Sequence, residues 1–242
     1  MWENADKQRK GVSLMSIEKR LNDIKKRIAD AALQCGRAPE DIKLIAVTKT
    51  YPTDAMNEAI RLGVTDIGEN KPQEVRDKFG DVLPVRWHLI GHLQTNKIKY
   101  VIDRCCMIHS VDSIKLMQEI DRLATAHGCH IDILIQVNIS GEESKSGISP
   151  DELPKLLDFA GNLTNTHVKG LMTIAPKSEY GDVSVHFGNM KKLFDKTEKE
   201  TYPNVCMEEL SMGMSGDFET AIKYGATMVR IGSLIFGPRN YN

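Results

Sequence analysis

The sequence predicts a single (β/α)8 barrel, a TIM barrel, with one additional helix before its first strand. Three observations predict this fold. The chain has 242 residues, a length that suits one large α/β domain. Eight short apolar segments alternate with longer segments of helical periodicity. The apolar segments are continuous, as expected of parallel strands that are buried on both faces.

An amphipathic helix is predicted at the start of the ordered chain. Apolar residues recur at helical spacing from Ser16 to about Cys35, with Ser16 as a candidate cap and Gly36 as a stop. Residues 1–14 carry charges but no hydrophobic core of a secretion signal, and we expect them to form a disordered extension. The barrel domain is therefore expected to span residues 15–242.

The apolar segments define eight predicted strands. They are residues 43–48, 64–67, 86–90, 107–111, 132–138, 168–173, 206–211 and 227–231. Helical patterns lie between them, for instance at 53–62, 112–127, 151–162 and 185–200. An open, doubly wound sheet is the main alternative, but it usually has a Gly-rich turn after its first strand, where this chain has TKTYP. Eight strand–helix units favour the closed barrel.

Composition and charge favour a small-molecule ligand. Lys and Arg total 32 against 33 for Asp and Glu, and the net charge of -1 offers no broad basic field for nucleic acid or an anionic membrane. No apolar run is long enough to span a membrane. The five cysteines show neither a disulfide framework nor the spacing of zinc ligands. This pattern is typical of reduced thiols in a cytoplasmic protein.

Lys49 is the leading candidate for covalent chemistry. It follows the first strand and precedes Pro52, so it lies at the C-terminal mouth of the predicted barrel, where this fold builds its active sites. Partial desolvation at a strand end favours a neutral amine, which attacks an aldehyde to form a Schiff base. From its position alone, a lysine that extends into solvent is an equally good interpretation.

Two segments rich in glycine and serine are candidates to bind phosphate. LSMGMSGDFET, residues 210–220, leads from the seventh strand into a helix near Asp217, and RIGSLIFG ends the eighth strand. Loops after strands seven and eight often bind phosphate in this fold, and a helix N-terminus favours an anion. The alternative is that the glycines serve only turns and close packing.

Three further residues are expected near the mouth. Arg230, on the last strand, should face either a ligand or a buried acid, Glu208 or Glu209, and the ligand is favoured. Asn70 and His88 are candidates to hydrogen-bond a ligand ring or the lysine, although a core histidine is the default interpretation of His88.

Two other patterns are not interpreted as binding motifs. His88 and His92 have H-x-x-x-H spacing, but Gly91 argues against a helix and no third ligand is evident, so no metal site is predicted. Residues 141–147, GEESKSG, lack the spacing of a P-loop and are interpreted as a charged loop at the mouth.

Seven segments together resemble the pyridoxal phosphate homeostasis protein family. They are TKTYP with Lys49, GENKPQE at 68–74, WHLIGHLQTNK at 87–97, VNISGEESKSG, GLMTIAP at 170–176, LSMGMSGDFETAI and ATMVRIGSLIFG. The resemblance covers about residues 15–242. It implies the barrel of the alanine racemase N-terminal domain, with pyridoxal 5'-phosphate (PLP) as cofactor, and a role in vitamin B6 and amino-acid homeostasis.

The resemblance also implies roles for individual residues. Lys49 becomes the Schiff-base lysine, and Arg230 matches the arginine that faces the pyridine nitrogen in alanine racemase. The implied phosphate contacts are Ser211, Ser215, Gly232 and Ser233. The choice between Ser211 and Ser215 stays open.

An arginine at the pyridine nitrogen opposes protonation of the ring and weakens its electron withdrawal. We therefore expect a PLP carrier or buffer without robust turnover, with apo PLP-dependent enzymes as partners. One alternative is a low-activity amino-acid racemase that uses Lys49 as one base and Tyr51 or His88 as the other. Another is non-covalent binding of a different phosphorylated metabolite. A monomer is expected, because nothing after Asn242 supplies the dimer-forming domain of alanine racemase.

Overall fold

Eight parallel strands form a closed barrel in chain order. The computed structural model describes residues 15–142, 145–176 and 182–238, and its last strand pairs with its first. The strands are β1 (Lys43–Val47), β2 (Asp66–Glu69), β3 (Arg86–Leu89), β4 (Met107–Val111), β5 (Ile131–Gln136), β6 (Thr166–Met172), β7 (Val205–Ser211) and β8 (Met228–Ile231). The predicted barrel is confirmed. The predicted extension, residues 1–14, lies outside the described residues, as do positions 143 and 144 of the predicted mouth loop.

Helices connect most of the strands. They are α1 (Ile17–Gln34), α2 (Thr53–Arg61), α3 (Pro72–Lys78), α4 (Ile114–His127), α5 (Leu153–Ala160), α6 (Val183–Glu198), α7 (Phe218–Lys223) and α8 (Ser233–Phe236), with 3-10 helices at Pro39–Asp41, Thr95–Tyr100 and Pro150–Glu152. The additional N-terminal helix, α1, is confirmed. The Ser16 hydroxyl caps it by accepting a hydrogen bond from the Lys19 N–H at 3.2 Å. None of the helices in the described ranges is long and apolar enough to cross a bilayer.

The second strand begins later than the sequence indicated. The apolar pattern predicted residues 64–67, whereas β2 spans Asp66–Glu69. Two acids and a glycine are uncommon in strands, so composition does not reveal this one. Both acids are almost completely buried, and this is tolerated because both carboxyl groups are hydrogen-bonded inside the fold.

The apolar core has two parts. The larger part lies between the strands and the surrounding helices. The smaller part is a separate buried cluster of Ile45, Met107, Leu134, Met172 and Met228, which faces the barrel axis because alternate residues of a strand point inward. Beside this apolar layer the interior contains buried polar side chains, among them His88, His109, Ser211 and Arg230. These polar residues connect the interior to the mouth of the barrel.

Candidate ligand-binding site at the barrel mouth

A cavity of about 560 Å³ opens at the C-terminal ends of the strands. Six of the eight residues predicted from the sequence line it: Lys49, Asn70, Ser215, Arg230, Gly232 and Ser233. The other two, His88 and Ser211, are buried below it. The strand topology thus gathers residues from widely separated segments at the end of the barrel where this fold places its sites.

Lys49 lies in a tight turn that follows β1. The turn is closed by a hydrogen bond from the Tyr51 N–H to the Thr48 carbonyl at 3.0 Å. Thr50, directly after the lysine, has a φ of 68°, which is the left-handed region that a β-branched residue rarely adopts. The half-buried Lys49 side chain lines the cavity. The amine predicted to form a Schiff base is therefore held on a sharply bent backbone.

Two serine hydroxyls from neighbouring loops meet on one side of the cavity. Ser215, after β7, and Ser233, after β8, have their Oγ atoms 3.3 Å apart. Gly232 also packs closely, because a Cβ there would lie 3.0 Å from the Val47 carbonyl oxygen. Two adjacent hydroxyl groups can both donate hydrogen bonds to an anionic group such as a phosphate, and Gly232 allows the ends of β1 and β8 to pack closely.

The charge of the cavity favours an anionic ligand. Four basic residues line it: Lys49, His92, Lys145 and Arg230. Within the described part of the chain, no Asp or Glu contributes to this lining. The Lys145 amine donates a hydrogen bond to the Ala175 carbonyl at 2.8 Å, which fixes its position at the rim.

Arg230 faces the cavity and does not pair with either acid that the sequence offered as an alternative. Its Nη1 donates to Ser211 Oγ at 2.7 Å and its Nη2 to the Thr173 carbonyl at 2.9 Å. Burial lowers the pKa of Arg230 to about 10, so the guanidinium remains charged at neutral pH. Glu209 instead pairs with Lys43 at 2.7 Å.

A chain of hydrogen bonds continues from Arg230 into the barrel. Ser211 Oγ lies 3.0 Å from His109 Nδ1, His109 Nε2 lies 2.9 Å from His88 Nδ1, and His88 Nε2 lies 2.9 Å from an oxygen of Asp66. The structure therefore places both His88 and Ser211 behind Arg230 and away from the cavity surface. Their predicted ligand contacts stay predictions.

The two ends of this chain, together with neutral imidazoles between them, set the direction of its hydrogen bonds. Burial lowers the pKa of His88 and of His109, so both imidazoles are neutral at neutral pH. Arg230 can only donate and ionised Asp66 can only accept, so each intervening group donates toward Asp66. Although burial opposes it, hydrogen bonds from His88 and Arg86 hold the pKa of Asp66 well below its usual range.

Sequence reasoning missed several residues of this site. His109 forms the middle of the buried chain of hydrogen bonds, and Gln136 and Ile174 line the cavity. Gln136 ends β5, so its place at the end of a strand was the available signal. Ile174 lies in a loop, whose course the strand pattern does not define. Lys145 also lines the cavity and belongs to residues 141–147, which were predicted as a charged loop at the mouth.

Tyr51 and His88, the two residues considered as a second base, do not line the cavity. The Tyr51 hydroxyl donates to the Gly237 carbonyl at 2.6 Å, and its ring packs 4.8 Å from that of Phe236. Tyr51 therefore makes structural contacts, and the two ring nitrogens of His88 bond to His109 and Asp66.

The fold and the cavity define a class of protein: a (β/α)8 barrel with a lysine at the end of its first strand and a cavity at its mouth that is lined by basic residues. The family model for the alanine racemase N-terminal domain matches residues 20–240. The chain is 41% identical over 230 residues to the pyridoxal phosphate homeostasis protein of Aquifex aeolicus, covering 94% of this chain and 100% of the relative. For the Escherichia coli K12 protein of the same name, the identity is 39% over 239 residues, covering 93% and 98%.

This chain belongs to the pyridoxal phosphate homeostasis protein family. Among solved structures, PipY of Synechococcus elongatus with PLP bound is similar, with a TM-score of 0.75 and 30% identity over 92% of this chain and 100% of that one. An alanine racemase of Clostridium difficile has a TM-score of 0.67 at 16% identity, covering 95% of this chain and 58% of that one. That likeness concerns the barrel fold alone.

Proposed function

We propose that this protein binds PLP as a Schiff base on Lys49 and acts as a carrier or buffer in intracellular vitamin B6 and amino-acid homeostasis. The observation that carries this proposal is the placement of Lys49 in a basic cavity that two paired serine hydroxyls also line. Homologues of this chain are named for PLP homeostasis, and a similar solved structure contains PLP.

The chemistry of the cavity fits the three functional groups of PLP. The aldehyde needs an amine, which Lys49 supplies. The phosphate needs hydrogen-bond donors and positive charge, for which Ser215 and Ser233 are the candidates. The pyridine ring needs a partner for its nitrogen and apolar surface, for which Arg230 and Ile174 are available. Bound PLP supplies an electron sink, whose strength depends on protonation of its ring nitrogen.

The surroundings of Arg230 argue against robust carbanion chemistry. A charged guanidinium disfavours a proton on a neighbouring nitrogen, and no acid of the described chain lines the cavity to counter it. The two residues considered as a second base are engaged elsewhere. The proposed role is therefore to hold and release the cofactor.

The proposal is tested by titrating the apo protein with PLP and recording the visible absorbance of the imine. Lys49→Ala should abolish this absorbance and leave the fold intact, because a residue at the mouth contributes little to the core. Lys145→Ala, which removes another lysine of the same cavity, is the matched control and should retain it. Imine absorbance that survives in Lys49→Ala would refute the assignment.

Carrier and racemase functions are separated by two further measurements. A carrier should transfer PLP to the apo form of a PLP-dependent enzyme and restore its activity. It should not exchange the α-proton of amino acids in D2O. Rapid exchange that is lost in Lys49→Ala would favour the racemase. We also propose that the protein acts in the cytoplasm as a monomer, which cell fractionation and light scattering would test.

A further inference from the structure

Three charged side chains from β2 and α3 surround the turn that carries Lys49. We call Glu69, Glu74 and Lys78 the turn-supporting cluster. The Lys78 amine lies 2.9 Å from Glu69 Oε1 and 2.7 Å from Glu74 Oε2. All three side chains are largely buried, with exposed fractions of 0% for Glu69, 20% for Glu74 and 15% for Lys78. None of the three lines the cavity.

The cluster contacts the residue on each side of Lys49. Before the lysine, the Thr48 hydroxyl donates to Glu69 Oε1 at 2.8 Å, and the Thr48 carbonyl accepts from Lys78 at 3.2 Å. After the lysine, the Thr50 N–H donates to Glu74 Oε2 at 2.9 Å. Three hydrogen bonds thus connect the cluster to this turn, and two more hold the cluster together.

This arrangement opposes ordinary conformational preferences. Threonine is β-branched, and Thr50 has a φ of 68°, a conformation that persists only where the surroundings enforce it.

Glu69 is buried, and within the described residues its Oε2 has no hydrogen-bond partner. Burial raises the pKa of Glu69 to about 7. Strain and an incompletely bonded carboxyl group are typical of functional sites.

We propose that Glu74, supported by Lys78 and Glu69, is a positioning residue that holds Thr50 left-handed and so fixes the direction in which Lys49 presents its amine. This inference rests on the proposed function. Reaction rates depend strongly on the orientation of reacting groups, and a displacement of about 1 Å can cost up to about a hundredfold. Loss of the Glu74 acceptor should let Thr50 relax toward an ordinary backbone conformation and misdirect the amine.

The test uses Thr50→Gly as a rescue. Glycine adopts positive φ without steric cost, so it should preserve the turn without help from Glu74. We expect Glu74→Ala to slow imine formation with PLP about tenfold or more, and Glu74→Ala combined with Thr50→Gly to restore most of the rate. In the apo protein, acylation of Lys49 by an amine-specific reagent, quantified by peptide mass mapping, should change in parallel.

Conservative and matched variants sharpen this test. Glu74→Gln keeps an oxygen acceptor for the Thr50 N–H and should stay close to the wild-type rate. Glu58→Ala removes an exposed acid of α2 and should have no effect. Thermal unfolding is recorded for every variant. If Glu74→Ala does not fold, Glu74→Asp replaces it, because its side chain is one methylene shorter and should not reach the Thr50 N–H. We expect the same slowing of imine formation and the same rescue by Thr50→Gly.

Two results would overturn the inference. One is an unchanged rate in Glu74→Ala or Glu74→Asp while the wild type forms the imine normally. The other is a slow variant that Thr50→Gly does not rescue, since Glu74 would then act through its charge or through general stability. If the wild-type protein itself forms no imine on Lys49, the proposed function fails, and this outcome is distinct from both.

Discussion

Arg230 donates a hydrogen bond from Nη1 to Ser211 Oγ at 2.7 Å, and this contact joins the cavity to the buried interior. Beyond Ser211, the chain of hydrogen bonds continues through the neutral side chains of His109 and His88 to Asp66. Because every member is buried, the loss of one partner leaves another group unsatisfied in a medium of low dielectric constant. The guanidinium that lines the cavity is therefore held in place by side chains and backbone of the barrel itself.

Ser211→Ala should reduce the stability of the protein. The change removes the acceptor of an Arg230 hydrogen bond and the donor to His109, so we expect the free energy of unfolding to fall by about 1–3 kcal/mol. Urea denaturation measures this loss. Ser215→Ala, at the half-buried cavity surface, should change stability by less than about 0.5 kcal/mol. Equal effects of the two substitutions would contradict the buried role of Ser211.

The buried histidines should make stability depend on pH. Burial lowers the pKa of His88 and His109 in the folded protein, whereas an unfolded imidazole titrates near about 6.5. Below that pH the unfolded state binds more protons at these two positions, so the histidine contribution to the free energy of unfolding is fully present above about pH 6.5 and falls as the pH decreases through the window from about 6.5 to 5. Glu69, whose pKa burial raises to about 7, contributes a slope of the opposite sign in the same window, so the histidine contribution is read as the difference in slope between the wild type and a histidine variant.

His109→Gln should flatten this dependence. Removing one buried imidazole should reduce the slope by up to about 1.4 kcal/mol per pH unit, as measured by urea denaturation across the window. His127→Gln removes an exposed imidazole and controls for the number of histidines. If the free energy of unfolding of His109→Gln depends on pH as steeply as that of the wild type, His109 is not kept neutral by its burial.

The paired hydroxyls should matter only for ligands that carry a phosphate. Ser215→Ala combined with Ser233→Ala should weaken PLP binding by about 1–2 kcal/mol, because other donors and the positive charge of the cavity remain. Equilibrium binding of pyridoxal, which lacks the phosphate, should be unaffected. Ser146→Ala, elsewhere in the cavity lining, is the matched protein control. An equal loss for both ligands would place the phosphate elsewhere.

Gly91→Ala should disturb the mouth of the barrel. A Cβ at this position would lie 2.3 Å from the Asn70 carbonyl oxygen, so the backbone of one segment must move. We expect a loss of about 1–3 kcal/mol in the free energy of unfolding, measured by thermal denaturation. At Gly80 a Cβ would meet no atom within 4 Å, so Gly80→Ala should be tolerated. If Gly91→Ala leaves the free energy of unfolding unchanged, the backbone segments at Gly91 and Asn70 are not as closely packed as described.

The fold could be predicted because most of the strands contain an apolar run whose residues are buried, as in β1, β4 and β5. The predicted bounds of β2 were wrong because its sequence, DIGE, is mostly polar. The burial of its two acids depends on partners from other segments. The short α3 helix, which begins at Pro72, was not predicted either. Its importance lies in two side chains, Glu74 and Lys78, which contact the turn of a different strand.

The candidate site could be predicted in part. Lys49 and the serines of the last two loops follow strand ends, so their convergence follows from the topology. The contact between His109 and Ser211 joins residues 102 positions apart, and the barrel register that creates it is not visible in the sequence. The same register explains why Ser211 points inward while Ser215, four residues later, lies at the cavity.

Reductive trapping tests the central claim most directly. The protein loaded with PLP is treated with borohydride, which converts an imine to a stable secondary amine, and the digested protein is analysed by mass spectrometry. We predict a single pyridoxyl adduct on the peptide that contains Lys49. An adduct on Lys145 instead, or no adduct on any lysine, would contradict the account.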